Sequence, residues 1–146
     1  MSHLPFRLGS TSYVFPADIL PNVAALGPSV DDVELVLFEV DEQSNLPTPQ
    51  VIRALDALAA EYDLTYTVHL PLDLQLAAGD DVWRSPSMEK ARKVIACTRT
   101  LNPWAYIVHL DGREIEAGAT PDQMARWRDQ AARSLESIGG EAGDPA

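Results

Sequence analysis

The sequence predicts an α/β protein built on a parallel sheet, and three observations lead there. Four short runs rich in β-branched and aromatic residues alternate with four longer runs of helical periodicity, giving the order βαβαβαβα. Two of the short runs share one frame, since Tyr66-Thr67-Val68-His69-Leu70 and Tyr106-Ile107-Val108-His109-Leu110 both read Tyr-x-Val-His-Leu. A long helical pattern separates them, so a right-handed crossover joins them as parallel neighbours. Side chains alternate across a strand, so Thr65, Thr67 and His69 share one face, and Ala105, Ile107 and His109 share a face of the next strand. Matched registers then set two imidazoles side by side at the carboxyl ends of adjacent strands, the edge where chemistry collects in such folds.

Each element carries its own signature. Phe6 to Thr11 reads as the first strand, entering the hydroxyl-rich loop Ser10-Thr11-Ser12-Tyr13. Ile19, Leu20, Val23 and Leu26 recur at helical spacing, Pro21 opens the regular helix, and Gly27-Pro28 stops it. Val33 to Glu39 is a second, nearly continuous apolar strand, as a parallel strand covered on both faces requires. Thr48-Pro49 supplies an N-cap and a proline at the first helical position, ahead of a stripe of Val51, Ile52, Leu55, Leu58, Ala59 and Tyr62. The strand ending in His69 follows, then a loop from Leu72 to Arg84. Ser85-Pro86 begins the third helix, with the stripe Met88, Ala91, Val94, Ile95, Thr98 and Leu101. After the fourth strand, Thr120 and Gln123 form a capping box for a helix with the stripe Met124, Trp127, Ala131, Leu135 and Ile138, which Gly139-Gly140 ends. Four such units make either a small open sheet or half of a (β/α)₈ barrel, which typically takes about 250 residues.

Composition narrows the function. A chain of 146 residues with 46% hydrophobic content suits one domain, residues 1–146. A formal net charge of −11 argues against a nucleic-acid partner and against an anionic membrane surface. The opening residues lack a basic segment followed by an apolar run, and no apolar stretch reaches the length of a membrane span, so the expectation is a soluble, cytoplasmic protein. Cys97 stands alone and reads as a small buried hydrophobe. No Gly-rich phosphate fingerprint, G-x-S-x-G elbow or CxxC pair occurs.

The candidates for chemistry are few. A single strand-end histidine is ordinarily bonded to a backbone group, but His69 and His109 repeat in one frame and read as metal ligands or a substrate clamp. A zinc ion held by imidazole nitrogens at about 2.0–2.1 Å needs further ligands, usually carboxylates. Glu39, at the end of the second strand, is either one of these or a solvated terminus; Glu34 lies deeper, on the opposite face. Asp73 and Asp111 follow the two histidines by four and two positions and are either loop aspartates or groups that orient an imidazole N–H. Ser10, Thr11 and Tyr13 line the ligand mouth of a barrel, or form a polar turn.

At these residues the chain resembles a known superfamily. Gly9 to Tyr13 with Pro16 to Pro21, then Val33 to Glu39, Val68 to Leu74 and Val108 to Gly112 are similar to the xylose-isomerase-like TIM barrels. That superfamily holds sugar-phosphate isomerases, epimerases and type-2 apurinic endonucleases, and the loops resemble most its cobamide-remodelling phosphodiesterases. The resemblance covers nearly the whole chain but only the N-terminal half of a barrel. It implies a (β/α)₄ half-barrel and metal-dependent hydrolysis of the phosphodiester in a corrinoid nucleotide loop, with metal-bound hydroxide attacking phosphorus. It also implies that His69 and His109 hold a divalent metal, zinc or similar, while Glu39 and the Ser10 to Tyr13 loop face a corrinoid. In the endonuclease branch a glutamate from a fifth strand completes the zinc site. This chain stops after its fourth helix, so the expectation is a truncated and catalytically silent form. Two alternatives stand beside it: a sugar-phosphate isomerase or epimerase whose substrate these histidines touch, and a non-catalytic half-barrel that survives by pairing with another half. Open sheet edges, and an apolar layer of Leu35, Leu37, Ala105 and Ile107, predict self-association.

Overall fold

The computed structural model describes residues 5–40, 43–110, 112, 115 and 117–142. In chain order the elements are β1 (Gly9–Thr11), α1 (Ile19–Leu26), β2 (Asp32–Val36), β3 (Glu39–Val40), β4 (Gln43–Ser44), α2 (Pro49–Tyr62), β5 (Thr65–His69), α3 (Asp81–Thr98), a 3₁₀ turn (Arg99–Leu101), β6 (Ala105–Ile107) and α4 (Pro121–Ala142). Strands β1, β2, β5 and β6 form one parallel sheet in that order, and β3 and β4 form a small antiparallel hairpin. The expected four parallel strands in sequential order are therefore present. The chain divides into two compact units, Met1–Leu70 with Cys97–Ile107, and Pro71–Ala96 with Val108–Ala146.

The first unit holds the sheet. Val33 and Leu35 of β2 and Tyr66 and Val68 of β5 are buried on its covered face. The Tyr66 hydroxyl donates to the Leu55 carbonyl at 2.7 Å and so ties β5 to α2. Thr48 caps α2 by accepting from the Val51 N–H at 3.3 Å, with Pro49 at the first helical position. Gly27, at the end of α1, sits so close to the Tyr62 ring that an added Cβ would lie 2.4 Å from it. Glycine is needed there for the approach of α1 to α2 rather than for its backbone freedom.

The other face of the sheet is half-exposed, and it is polar. Cα pairing puts Asp32 beside Thr65 and Glu34 beside Thr67. The Asp32 carboxylate accepts from both threonine hydroxyls, at 2.6 Å and 3.0 Å. An apolar layer on this face was expected, but Leu35 and Leu37 are fully buried, because alternation from Val33 turns Leu35 to the covered side. Of the four expected members, only Ala105 and Ile107 lie on the half-exposed face.

Two further expectations change. The second strand ends at Val36 rather than Glu39, because Asn45 caps the residues that follow: its Oδ1 accepts from Phe38 N–H at 2.7 Å and its Nδ2 donates to the Val36 carbonyl at 2.9 Å. The shared frame predicts His69 opposite His109, whereas His69 pairs with Ile107. The slip is two residues. It keeps every side chain on its expected face, and a stagger between strands is what closing a sheet into a barrel demands.

The second unit is helical. Met88, Ala91, Val94 and Ile95 are buried along α3, and Thr98 and Leu101 continue the stripe into the first unit, as the periodicity predicts. Helix α3 nevertheless begins at Asp81, four residues before Ser85. Asp80 starts it by accepting from the Val82 N–H at 2.9 Å, and Asp81, favoured near the positive helix terminus, pairs with Arg84. Pro86 thus lies inside the helix; beside it, Ser87 Oγ donates to the Trp83 carbonyl and accepts from the Gln75 N–H, both at 2.9 Å. In α4 the capping box forms, with Thr120 N–H donating to Gln123 Oε1 at 2.7 Å and Gln123 N–H to Thr120 Oγ1 at 3.3 Å. The helix runs through Gly139 and Gly140 to Ala142, where the Arg92–Glu141 ion pair at 2.6 Å meets its last turn. Among the described residues, no helix is long and apolar enough to cross a membrane.

Candidate functional site

The carboxyl ends of the parallel strands hold Thr11 and His69, with Tyr13 and His109 two residues beyond theirs. In the loop after β1, Ser12 is fully buried: its N–H donates to the Glu34 carbonyl at 2.9 Å and its Oγ accepts from the Val36 N–H at 3.1 Å. That lock extends β1 along β2 and delivers Tyr13 to the rim, where it is 41% exposed. The Tyr13 hydroxyl accepts from Asn45 Nδ2 at 2.7 Å, which leaves its own O–H to donate to a ligand. The neighbouring segment is held by Asn22, which is fully buried. Its Oδ1 accepts from the N–H groups of Val14 and Phe15, at 3.0 Å and 3.1 Å. Its Nδ2 donates to the carbonyls of Phe15, Ala17 and Asp18 at 3.1–3.2 Å.

Between this loop, the start of α1 and the segment after the hairpin lies a cavity of about 480 Å³, lined by Tyr13, Asp18, Phe38, Asn45, Thr48 and Val51 among others. Among its described lining residues there is no lysine or arginine.

His69 is the last residue of β5 and is buried. Its Nδ1 lies 2.7 Å from the Leu70 carbonyl oxygen, which can only accept, so Nδ1 is the donor of that bond. His109 follows β6 by two residues and is exposed. Thr11 shares the half-exposed face of Glu34, while Ser10, paired with Val33, lies on the covered face. Glu39 opens the hairpin strand β3 opposite Ser44 rather than ending β2. Asp73 accepts an ion pair from Lys90 at 2.5 Å in the second unit. Asp111 lies outside the described residues. Among the described residues, no group of three or more His, Cys, Asp or Glu side chains is placed to hold a metal ion.

Sequence reasoning missed Asn22 and Asn45. Asn45 follows a stretch of turn-forming residues and Asn22 stands at a polar position inside an apolar helix, which is the signal that was there to read.

No protein-family description and no curated protein matches the chain. Solved structures do. A D-psicose 3-epimerase with D-tagatose, from Clostridium cellulolyticum H10, aligns with a TM-score of 0.69 at 16% identity, covering 94% of this chain and 48% of that one. A D-tagatose 3-epimerase-like protein aligns with 0.69 at 22% identity, covering 94% and 49%. An L-ribulose 3-epimerase aligns with 0.64 at 22% identity, covering 93% and 47%. The chain spans about half the length of these structures. The expected cobamide phosphodiesterase is overturned, because the structures that share the fold are named for 3-epimerisation of sugars. That expectation rested on the wording of loops which this chain uses to tie itself down, through Ser12 and the Asp73–Lys90 pair. What the likenesses establish is the fold, a parallel four-stranded sheet with helices that matches half of a TIM barrel.

Proposed function

We propose that this chain contributes the first-half strand ends of a sugar isomerase or epimerase site, with an unphosphorylated ketose as the favoured substrate class. The observation that carries the reading is the match of nearly the whole chain to half of several ketose 3-epimerases, with His69 at a strand's carboxyl end. Inverting a carbon next to a carbonyl requires removal of its proton, an enediol-like intermediate and return of a proton to the other face. The site must therefore fix the carbonyl and its neighbouring hydroxyls while keeping bulk water away.

This chain's residues suit that work. Tyr13 offers a hydroxyl donor fixed by Asn45, Thr11 offers another on the half-exposed face, and His69 stands buried at the end of β5. The net charge of −11 favours a neutral sugar over a sugar phosphate. A divalent ion bound at the strand ends would polarise the carbonyl and hydroxyl oxygens. Of the two expected donors His69 lies in the first unit and His109 in the second, and one imidazole falls short of the three or four ligands such an ion takes from protein. Asp73 and Asp111 are the carboxylates that follow those histidines most nearly in sequence, and Asp73 is paired with Lys90.

The test is solvent exchange. The chain is incubated with D-psicose or D-tagatose in deuterated buffer containing Mn²⁺, and deuterium at the carbon beside the carbonyl is followed by proton NMR. The reading expects incorporation that falls at least about 100-fold in His69→Ala, in line with the usual weight of one acid–base or positioning group. Absence of exchange in the unaltered chain, with either sugar, overturns it.

A further inference from the structure

Helix α4 carries a short repeat that the strand-end site does not use. Asp122-Gln123-Met124-Ala125-Arg126 and Asp129-Gln130-Ala131-Ala132-Arg133 both read Asp-Gln-x-Ala-Arg, with Trp127 between them. A spacing of seven residues is about two helical turns and about 10 Å of rise, so the repeated residues share one flank of the helix. That flank borders a cavity of about 470 Å³, within the range of about 300–1,000 Å³ that small-ligand sites occupy. Gln123, Arg126, Trp127, Gln130 and Arg133 line it from α4, and Ala77 and Gly79 line it from the segment before α3. These residues all belong to the second unit. Within that unit the Ser134 Oγ donates to the Leu76 carbonyl at 2.6 Å, and Arg92 of α3 donates to Ser137 Oγ at 2.9 Å. The cavity is therefore held by α4, α3 and the segment before α3, with no part played by the sheet edges.

The two arginines decide what it takes. Asp122 and Asp129 stand four residues before Arg126 and Arg133, the spacing at which acid and base pair on a helix. Among the described residues neither pair forms, and both arginines border the cavity instead. In a chain of net charge −11 this makes a local patch of the opposite sign. A guanidinium is a planar fork of N–H donors that matches a phosphate, and a glutamine amide both donates and accepts. Half-buried Trp127, set between the two repeats, offers a ring face to a planar group. We infer that this cavity binds a nucleoside monophosphate, its phosphate between the guanidinium groups, its base on the indole and its base edge read by the glutamines. A bare anion would engage the arginines and leave Trp127 and most of the volume unused. A nucleic-acid strand needs a basic track along its phosphates, which the overall charge denies it. The inference rests on α4 and not on the sugar chemistry, and its test contains no ketose.

Isothermal titration of the chain with adenosine monophosphate, inorganic phosphate and adenosine in dilute buffer is the measurement, with circular dichroism to confirm that each variant is folded. The nucleotide saturates one site, at least about tenfold more tightly than either phosphate or adenosine. Arg126→Gln and Arg133→Gln each weaken it about tenfold and the double variant about a hundredfold, and both positions are exposed, so the fold survives. Trp127→Leu weakens the nucleotide and leaves inorganic phosphate unchanged, a split that loss of structure would not give. A nucleotide that fails to saturate by about 10 mM overturns the inference, whatever the exchange experiment gives. So does a double arginine variant that binds as well as the unaltered chain. Equal affinity for the nucleotide and inorganic phosphate, an anion site only, also overturns it.

Discussion

Asn22 commits its whole side-chain amide to the segment between β1 and α1, accepting from two N–H groups and donating to three carbonyls. Replacing it with leucine of similar volume leaves those backbone groups buried and unbonded, at a cost of about 2–4 kcal/mol. Urea denaturation of Asn22→Leu reads that loss directly, as a lower midpoint with an unchanged slope. Protonation supplies a second residue-scale expectation. Burial raises the Tyr66 hydroxyl well above its ordinary range, with the nearby Asp56 charge adding to it, and burial likewise raises Tyr106 and the Cys97 thiol. The unfolded chain therefore releases these protons first as pH climbs past about 9–10. Their stabilisation is complete below that range and is lost as pH rises through it. Midpoints of urea unfolding should match between about pH 7 and 8 and fall toward about pH 11. Cys97, its Sγ donating to the Pro47 carbonyl at 3.1 Å, should resist alkylation in the folded chain and react once urea is added.

At the scale of elements, the joint between α1 and α2 depends on one missing side chain. Gly27→Ala drives a Cβ into the Tyr62 ring, and the resulting shift should cost about 1–3 kcal/mol. Gly27→Ala combined with Tyr62→Leu relieves the clash, so a double variant more stable than Gly27→Ala alone identifies the contact as the cause. The elements also mark where sequence reasoning succeeds. Thr48-Pro49 and the Thr120–Gln123 box were legible because a cap is a local device, complete within four residues. The α3 stripe was legible because its period is. The start of α3 was not, because Ser85-Pro86 imitates a helix start and masks the one Asp80 makes. The end of β2 was hidden too, since an apolar run continues to Phe38 and the terminator, Asn45, lies beyond the hairpin. Register was beyond reach for the same reason: two identical frames say which face a residue takes, while the stagger between strands belongs to the barrel.

For the molecule as a whole, 22 acidic against 11 basic side chains make repulsion a general term acting on the folded state. Raising ionic strength from about 0.01 M to about 0.15 M shortens the screening length from about 30 Å to about 8 Å and should raise the melting temperature without moving any particular contact. The half-barrel was legible in the alternation of strands and helices. The chemistry was not, because the loop wording that suggested a corrinoid serves the chain's own hydrogen bonds. The central proposal is that His69, at the end of β5, meets a small sugar in the company of Tyr13. Nitrogen-15 spectra of histidine-labelled chain, recorded while D-psicose is added, test it most directly. The account predicts saturable shifts at the His69 imidazole, reduced in Tyr13→Phe. Imidazole signals that stay fixed at sugar concentrations well above millimolar would contradict it.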